Sequence, residues 1–162
     1  MNYSKRLAAI ILALLFSILF SAALDASDLA TLNVIPDQTV LSPALLKNPV
    51  TFAGSGYQTN ELVIIELILP QGIKIKGLSE DEHRVTLAIS NAGNDGNFKV
   101  AMSAISTLNW FFQVDWTPGL MTPDFKQAKP LPPGKYEIEA MGGDSGKIGK
   151  AVLEILVPPE KK

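Results

Sequence analysis

Ser145 lies in Gly143-Asp144-Ser145-Gly146, a glycine-flanked setting of the kind that exposes a serine for nucleophilic attack. Such a serine needs a general base to take its proton, and the only histidine in the chain is His83. A tight turn before a final strand accounts for the same four residues, so a structural role is expected for Ser145. Gly146-Lys147 lacks the frame of a phosphate-binding loop, because position 141 is Met and position 148 is Ile. Glu80, Asp81, Glu82 and His83 offer carboxylate oxygens and an imidazole, which suit several divalent metals. Adjacent residues rarely converge on one ion without ligands from elsewhere, and a solvated acidic loop needs none; no metal and no cofactor are expected. Asn94-Asp95-Gly96-Asn97 lacks the downstream bidentate acid of a calcium loop. Asp115 and Asp124 would suit a glycosidase-type carboxylate pair only at a separation that sequence spacing does not fix.

Aromatic side chains offer a different chemistry. Trp110-Phe111-Phe112-Gln113-Val114-Asp115-Trp116 puts both tryptophans of the chain within seven residues. Exposed aromatics of this kind stack on sugars or anchor protein interfaces, which makes Trp110, Phe111, Phe112 and Trp116 the candidate interaction surface. The same residues also fit a core-facing strand, with Trp110, Phe112, Val114 and Trp116 on one face. Both readings stay open, because Pro118-Gly119 and Pro123 mark the segment as a protruding loop.

The elements that must position these residues begin with an address. Lys5 and Arg6 precede an apolar run from Leu7 to Phe20 that ends in Ser21, Ala22 and Ala23, the order of a secretory signal cleaved after Ala23. The apolar stretch 7–24 is also close to the shortest that spans a bilayer, roughly 17 residues, so retention as an anchor is the alternative. The expected location is therefore periplasmic or extracellular, with membrane contact only through an uncleaved N-terminal segment. The chain holds no cysteine, which removes disulfides, thiolate nucleophiles, thiolate metal ligands and lipidation at a signal cysteine. Its 162 residues carry 14 basic and 16 acidic side chains, and loss of Lys5 and Arg6 would leave 12 against 16. Scattered basic residues in an acidic chain argue against nucleic acid.

Beyond a polar segment at 24–31, short apolar runs alternate with Gly, Pro, Asn and Asp, the punctuation of an all-β domain. Leu32 to Ile35 and Thr39 to Leu41 predict an edge strand broken by Pro36. Val50, Phe52 and Gly54 begin a second strand, and Leu62 to Leu69, rich in β-branched residues, predicts a central one ended by Pro70-Gln71-Gly72. Ile73 and Ile75 alternate with Lys74 and Lys76 in the two-residue period of a strand. Val85, Leu87 and Ile89 alternate likewise, and the turn residues 91–97 predict a hairpin with Phe98, Val100 and Met102. Tyr136, Ile138 and Ala140 form a second hairpin with Ala151, Leu153, Ile155 and Val157 across the glycine-rich turn 142–146.

Three groups of residues carry a resemblance. Pro49-Val50-Thr51-Phe52-Ala53-Gly54-Ser55-Gly56-Tyr57 with Glu61 resembles the opening of bacterial immunoglobulin-like domains. Asp95-Gly96-Asn97-Phe98 is similar to their mid-domain hairpin. Leu131-Pro132-Pro133-Gly134-Lys135-Tyr136 and Gly143-Asp144-Ser145-Gly146 are similar to their ending. The match covers most of 49–157 and departs between Ser103 and Leu131, where a longer aromatic connection stands. The resemblance implies a single immunoglobulin-like β-sandwich over 32–158, with an insertion at 104–130 and a charged tail at 159–162, preceded by the signal helix at 1–23. It implies an exported, non-catalytic protein of adhesion, spacing, assembly or ligand binding, whose partner is a protein or a cell-surface component. The alternative is a carbohydrate-binding module using Trp110 and Trp116, and a carboxylate-based hydrolase stands third. Turn motifs specify fold better than function.

Overall fold

Val63, Ile65 and Leu67 occupy one face of a single strand, and all three are completely buried in the computed structural model, which describes residues 30–120 and 122–159. The expected signal segment 1–23, most of the polar segment and the terminal Lys161 and Lys162 lie outside the described residues. Ten strands follow in order: β1 (Thr31–Ile35), β2 (Gln38–Val40), β3 (Thr51–Ser55), β4 (Leu62–Ile68), β5 (Arg84–Asn91), β6 (Phe98–Ala101), β7 (Asp115–Thr117), β8 (Thr122–Asp124), β9 (Gly134–Gly142) and β10 (Ile148–Leu156). They form a three-stranded sheet β1-β3-β6, a five-stranded sheet β2-β10-β9-β4-β5 and a separate hairpin β7-β8.

The predicted break at Pro36 has a topological consequence. β1 pairs antiparallel with β3, whereas β2 runs parallel to β10, so the chain changes sheets between Ile35 and Gln38. Proline lacks the N–H that a continuous ladder would require, and the crossing falls there. The buried faces of both sheets join in one core, in which Phe52 from one sheet and Val63, Ile65, Leu67, Ile138 and Leu153 from the other are essentially sealed from solvent. β4 is central in its sheet, between β5 and β9, as its β-branched run predicts.

Four expectations are corrected. Ile73-Lys74-Ile75-Lys76 is not a strand: Ile75 is buried and the lysines are exposed, but no ladder forms. Pro70 and the positive-φ glycines Gly72 and Gly77 leave too little extended chain, and the backbone closes local turns from Ile73 N–H to Pro70 O and from Leu78 N–H to Ile75 O. The turn at 91–97 does not make a hairpin, because β5 pairs with β4 and β6 with β3. Its backbone instead binds the β3–β4 corner, with Tyr57 N–H donating to Gly96 O and Ala92 N–H to Glu61 O. Gly96, at φ +72°, sits so close to Tyr57 O that a Cβ has no room. Ile89 is 54% exposed, because the register with β4 shifts between Ile65 and Glu66 and one extra residue of β5 reverses the faces beyond Leu87.

The fourth correction concerns the aromatic segment, where Trp110 to Trp116 is not one strand. Ser103 caps a short α-helix, α1 (Ala104–Ser106), by accepting from Ser106 N–H, and the helix continues with π-geometry through Thr107–Phe112. Thr107, Leu108, Phe111 and Phe112 are buried, a spacing that fits a helical face and not a two-residue period. Gln113, at φ +48°, ends the helix before β7 begins. No helix among the described residues is long and apolar enough to cross a membrane.

Candidate functional site

At the β4 start, Glu61 is only 2% exposed and gathers two turns. Its carboxylate accepts from the backbone N–H groups of Gln58, Asp144 and Ser145 and from the Ser145 hydroxyl, tying the β3–β4 corner to the β9–β10 hairpin. Burial alone pushes its carboxyl upward, but the Ser145 and Gln58 amides, the Ser145 hydroxyl and the Asp144 amide outweigh this and hold it below the usual range. Gly142 runs so close to the carboxylate that a Cβ there would stand 2.7 Å from either Glu61 oxygen. Ser145 Oγ also accepts from Lys147 N–H at 3.2 Å. His83 precedes the opposite end of β5, roughly 25 Å away along a strand rising about 3.3 Å per residue. Ser145 and His83 are therefore not brought together.

The acidic loop likewise disperses. Glu80 pairs with Lys74 at 2.8 Å, Glu82 accepts from Ser79 N–H, and His83 Nδ1 lies 3.2 Å from Asp81 O. No group of three or more His, Cys, Asp or Glu side chains among the described residues is placed to hold a metal ion. Asp95 spends its oxygens on Asn97, accepting from its backbone and side-chain amides at 3.1 and 2.7 Å.

Phe111 and Phe112, two of the four residues of the expected surface, lie in the core at 0% and 6% exposure. Trp110 and Trp116 are half-buried against it. Trp116 Nε1 donates to Asn109 Oδ1 at 2.8 Å, and Phe112 meets Phe125 edge-on with ring centres 6.4 Å apart. Leu131 N–H donates to Phe111 O, which pins the insertion to the approach of β9. Asp115 and Asp124 do come together, directly opposite each other across β7 and β8. Asp115 is ion-paired with Lys76, and Asp124 accepts from Lys126 N–H at 2.9 Å, capping a one-turn 3₁₀ helix.

Between this insertion and the β4–β5 loop lies a cavity of about 600 Å³ that sequence reasoning did not find. Lys74, Lys76 and Lys129 line it with Gln113, Gln127 and Asp115. Gln113 is 6% exposed, and its Oε1 accepts from Lys76 N–H at 3.0 Å. A backbone N–H can only donate, so the carbonyl end of the amide is turned to Lys76 and Nε2 is left for the cavity. A shallower groove beside it, lined by Trp116, Thr117 and Asp124 among others, shares Asp115 and Gln127 with the cavity. The alternating Lys74 and Lys76 were the sequence signal for one wall, but nothing local announced that Gln113 and Lys129 would face them.

The outer face of the five-stranded sheet carries a second surface. Register aligns Ile89, Ile64, Met141 and Ile148 in one row across β5, β4, β9 and β10. Ile89, Met141 and Ile148 are 54%, 38% and 43% exposed. The next two rows carry charge, Glu66, Glu139 and Lys150 in the first and Arg84 and Glu137 in the second: Arg84 Nη1 reaches Glu139 at 2.7 Å and Glu66 at 3.2 Å, and Lys150 reaches Glu139 at 2.6 Å and Glu137 at 2.8 Å. Lys150, with Arg84 outweighing the effect of burial, holds the Glu139 carboxyl below its usual range.

No family model matches the chain, and no curated protein matches it. Among solved structures it is similar to a tetra-tandem repeat in the extending region of a large adhesion protein, at 17% identity and a TM-score of 0.40. That alignment covers 78% of this chain, which spans 24% of the other.

Proposed function

We propose that the chain is an exported, non-catalytic immunoglobulin-like β-sandwich that acts by contact with a protein partner, as an accessory subunit of an envelope or extracellular assembly. The immunoglobulin-like assignment is supported by a first strand divided between a three-stranded and a five-stranded sheet. It is supported also by Tyr136 near the start of β9, whose hydroxyl donates back to Pro132 O at 2.7 Å, the corner typical of such sandwiches. Export rests on the order of charged, apolar and small residues in 1–23. The non-catalytic reading rests on the employment of the reactive-looking groups: Ser145, Glu61, Asp95 and Asp124 all hold turns.

The observation that carries the reading is the apolar row Ile89, Ile64, Met141 and Ile148 beside a row of both charge signs. An apolar centre with a polar margin is the anatomy of a protein interface. Site-specific photo-crosslinking in cells from position 148 is expected to trap one discrete partner, with Ile89→Lys suppressing the product. Crosslinking from Lys99 on the other sheet is the control. Equal products from both positions, or none from position 148, would overturn the reading. A carbohydrate-binding role is the second reading, favoured by the half-buried Trp116 beside Asp124 in the groove that adjoins the lysine-lined cavity.

A further inference from the structure

We infer that the cavity between the β4–β5 loop and the insertion, with the adjoining Trp116 groove, binds a carboxylated oligosaccharide, a glycan carrying uronate residues. The proposal deepens the binding reading by assigning a ligand class to a site remote from the apolar row. Its volume of about 600 Å³ falls among small-ligand clefts, which run from roughly 300 to 1,000 Å³. Lys74, Lys76 and Lys129 oppose the single carboxylate of Asp115 in its lining, and that carboxylate is already engaged by Lys76. The cavity is thus positive within a chain of formal charge −2, and the groove adds only the carboxylate of Asp124. The Lys74–Glu80 pair withdraws little of this charge, since both side chains are at least 80% exposed and such pairs are weak.

Gln113 supplies the second observation. It is more than nine-tenths buried, its backbone is left-handed, and its Nε2 has no hydrogen-bond partner among the described residues while the side chain lines the cavity. The amide donor at the open end of this otherwise buried side chain stands beside lysine ammonium groups, and a carboxylate suits both. The choice of a glycan over an acidic peptide comes from the continuation of the cavity. Asp115 and Gln127 lead directly to the Trp116 groove, where an indole face with Asp124 and Thr117 offers stacking and hydroxyl recognition together. A peptide side chain brings no ring hydroxyls for Asp124 and Thr117 at that end.

The test titrates the full chain with trigalacturonate, following heat and tryptophan fluorescence, beside neutral galactotriose and a tri-glutamate peptide. Binding of trigalacturonate that weakens with salt is expected, with Lys129→Glu and Gln113→Glu each reducing affinity at least about tenfold at unchanged melting temperature. Lys129 is exposed, so its variant keeps the test decisive if the Gln113 variant unfolds. Gln113→Glu preserves the acceptor for Lys76 N–H and exchanges the free donor for a negative oxygen. Trp116→Phe is expected to remove the fluorescence change. No binding of trigalacturonate, equal binding of galactotriose, or indifference to Lys129→Glu would overturn the proposal. Equal or tighter binding of tri-glutamate would overturn the glycan assignment in favour of a protein ligand. Crosslinks from position 148 that persist when sugar binding fails leave the partner-docking reading standing by itself.

Discussion

Glu61 shows how an ionised side chain can be buried with no ion-pair partner among the described residues: three backbone N–H groups and a hydroxyl surround its two oxygens. Glu61→Gln turns one acceptor into a donor facing donors, and a loss of roughly 2–4 kcal/mol is expected in urea unfolding at neutral pH. The folded carboxyl titrates below the unfolded value of 4.5, so its contribution is complete above about pH 4.5 and is lost as pH falls through the folded value. The variant should therefore show a flatter acid limb, and an identical limb would contradict the assignment. Tyr57 works at the other end of the scale. Burial pushes its hydroxyl from 10.0 up to about 12, and it donates to Ala140 O at 3.0 Å. A folded pKa above the unfolded one stabilises below the unfolded value, so this contribution is present below pH 10 and lost between pH 10 and about 12. Tyr57→Phe should flatten part of that alkaline limb, leaving the share of Tyr136, whose hydroxyl burial also raises. None of this was legible as function; Ser145 resembled a nucleophile because glycines flank both catalytic and structural turns.

At the scale of elements, the insertion separates two kinds of aromatic. Phe111 is fully buried on the π-helical face, and Phe111→Ala is expected to cost about 3–5 kcal/mol in a chemical unfolding curve. Ile105, on the same helical segment, is 62% exposed, and Ile105→Ala should change stability by no more than about 0.5 kcal/mol. A reversal of that order would refute the helical placement. Alternation over Trp110–Trp116 suggested a strand because Phe112, Val114 and Trp116 happen to fall two apart. The helical signal was present in the same sequence, in Ser103 as a cap and in the 107, 108, 111, 112 spacing. Short apolar runs satisfy both periods, and the length of the run decides only when neighbouring turns are known. The Ile73–Lys76 segment failed as a strand for the complementary reason: the period was right, but bounding glycines and Pro70 left no room for a partner.

For the whole molecule, the prediction with the widest reach is cleavage after Ala23. Mass measurement of the mature protein should return an N-terminus at Leu24, and a mass retaining Lys5 and Arg6 would mean a tethered domain. Exposure of the apolar row on one face and of the lysine-lined cavity at one end gives the domain two separable surfaces. Ile148→Lys is expected to abolish partner crosslinking without altering trigalacturonate affinity, measured on the same preparation; coupled loss of both would show that the surfaces are not independent.

Sequence alone determined the β-rich character of the chain, most strand positions and the strand break at Pro36, because alternation and turn chemistry are local properties. It also identified Glu61 and Gly143–Gly146 as belonging to a common pattern, though not that one holds the other. Only the tertiary structure decided that the turn at 91–97 joins two sheets, that a bulge turns Ile89 outward, and that Gln113 meets Lys76 across 37 residues. Those outcomes depend on which strand edge or loop a segment encounters, and residues distant in sequence supply the deciding hydrogen bonds and packing.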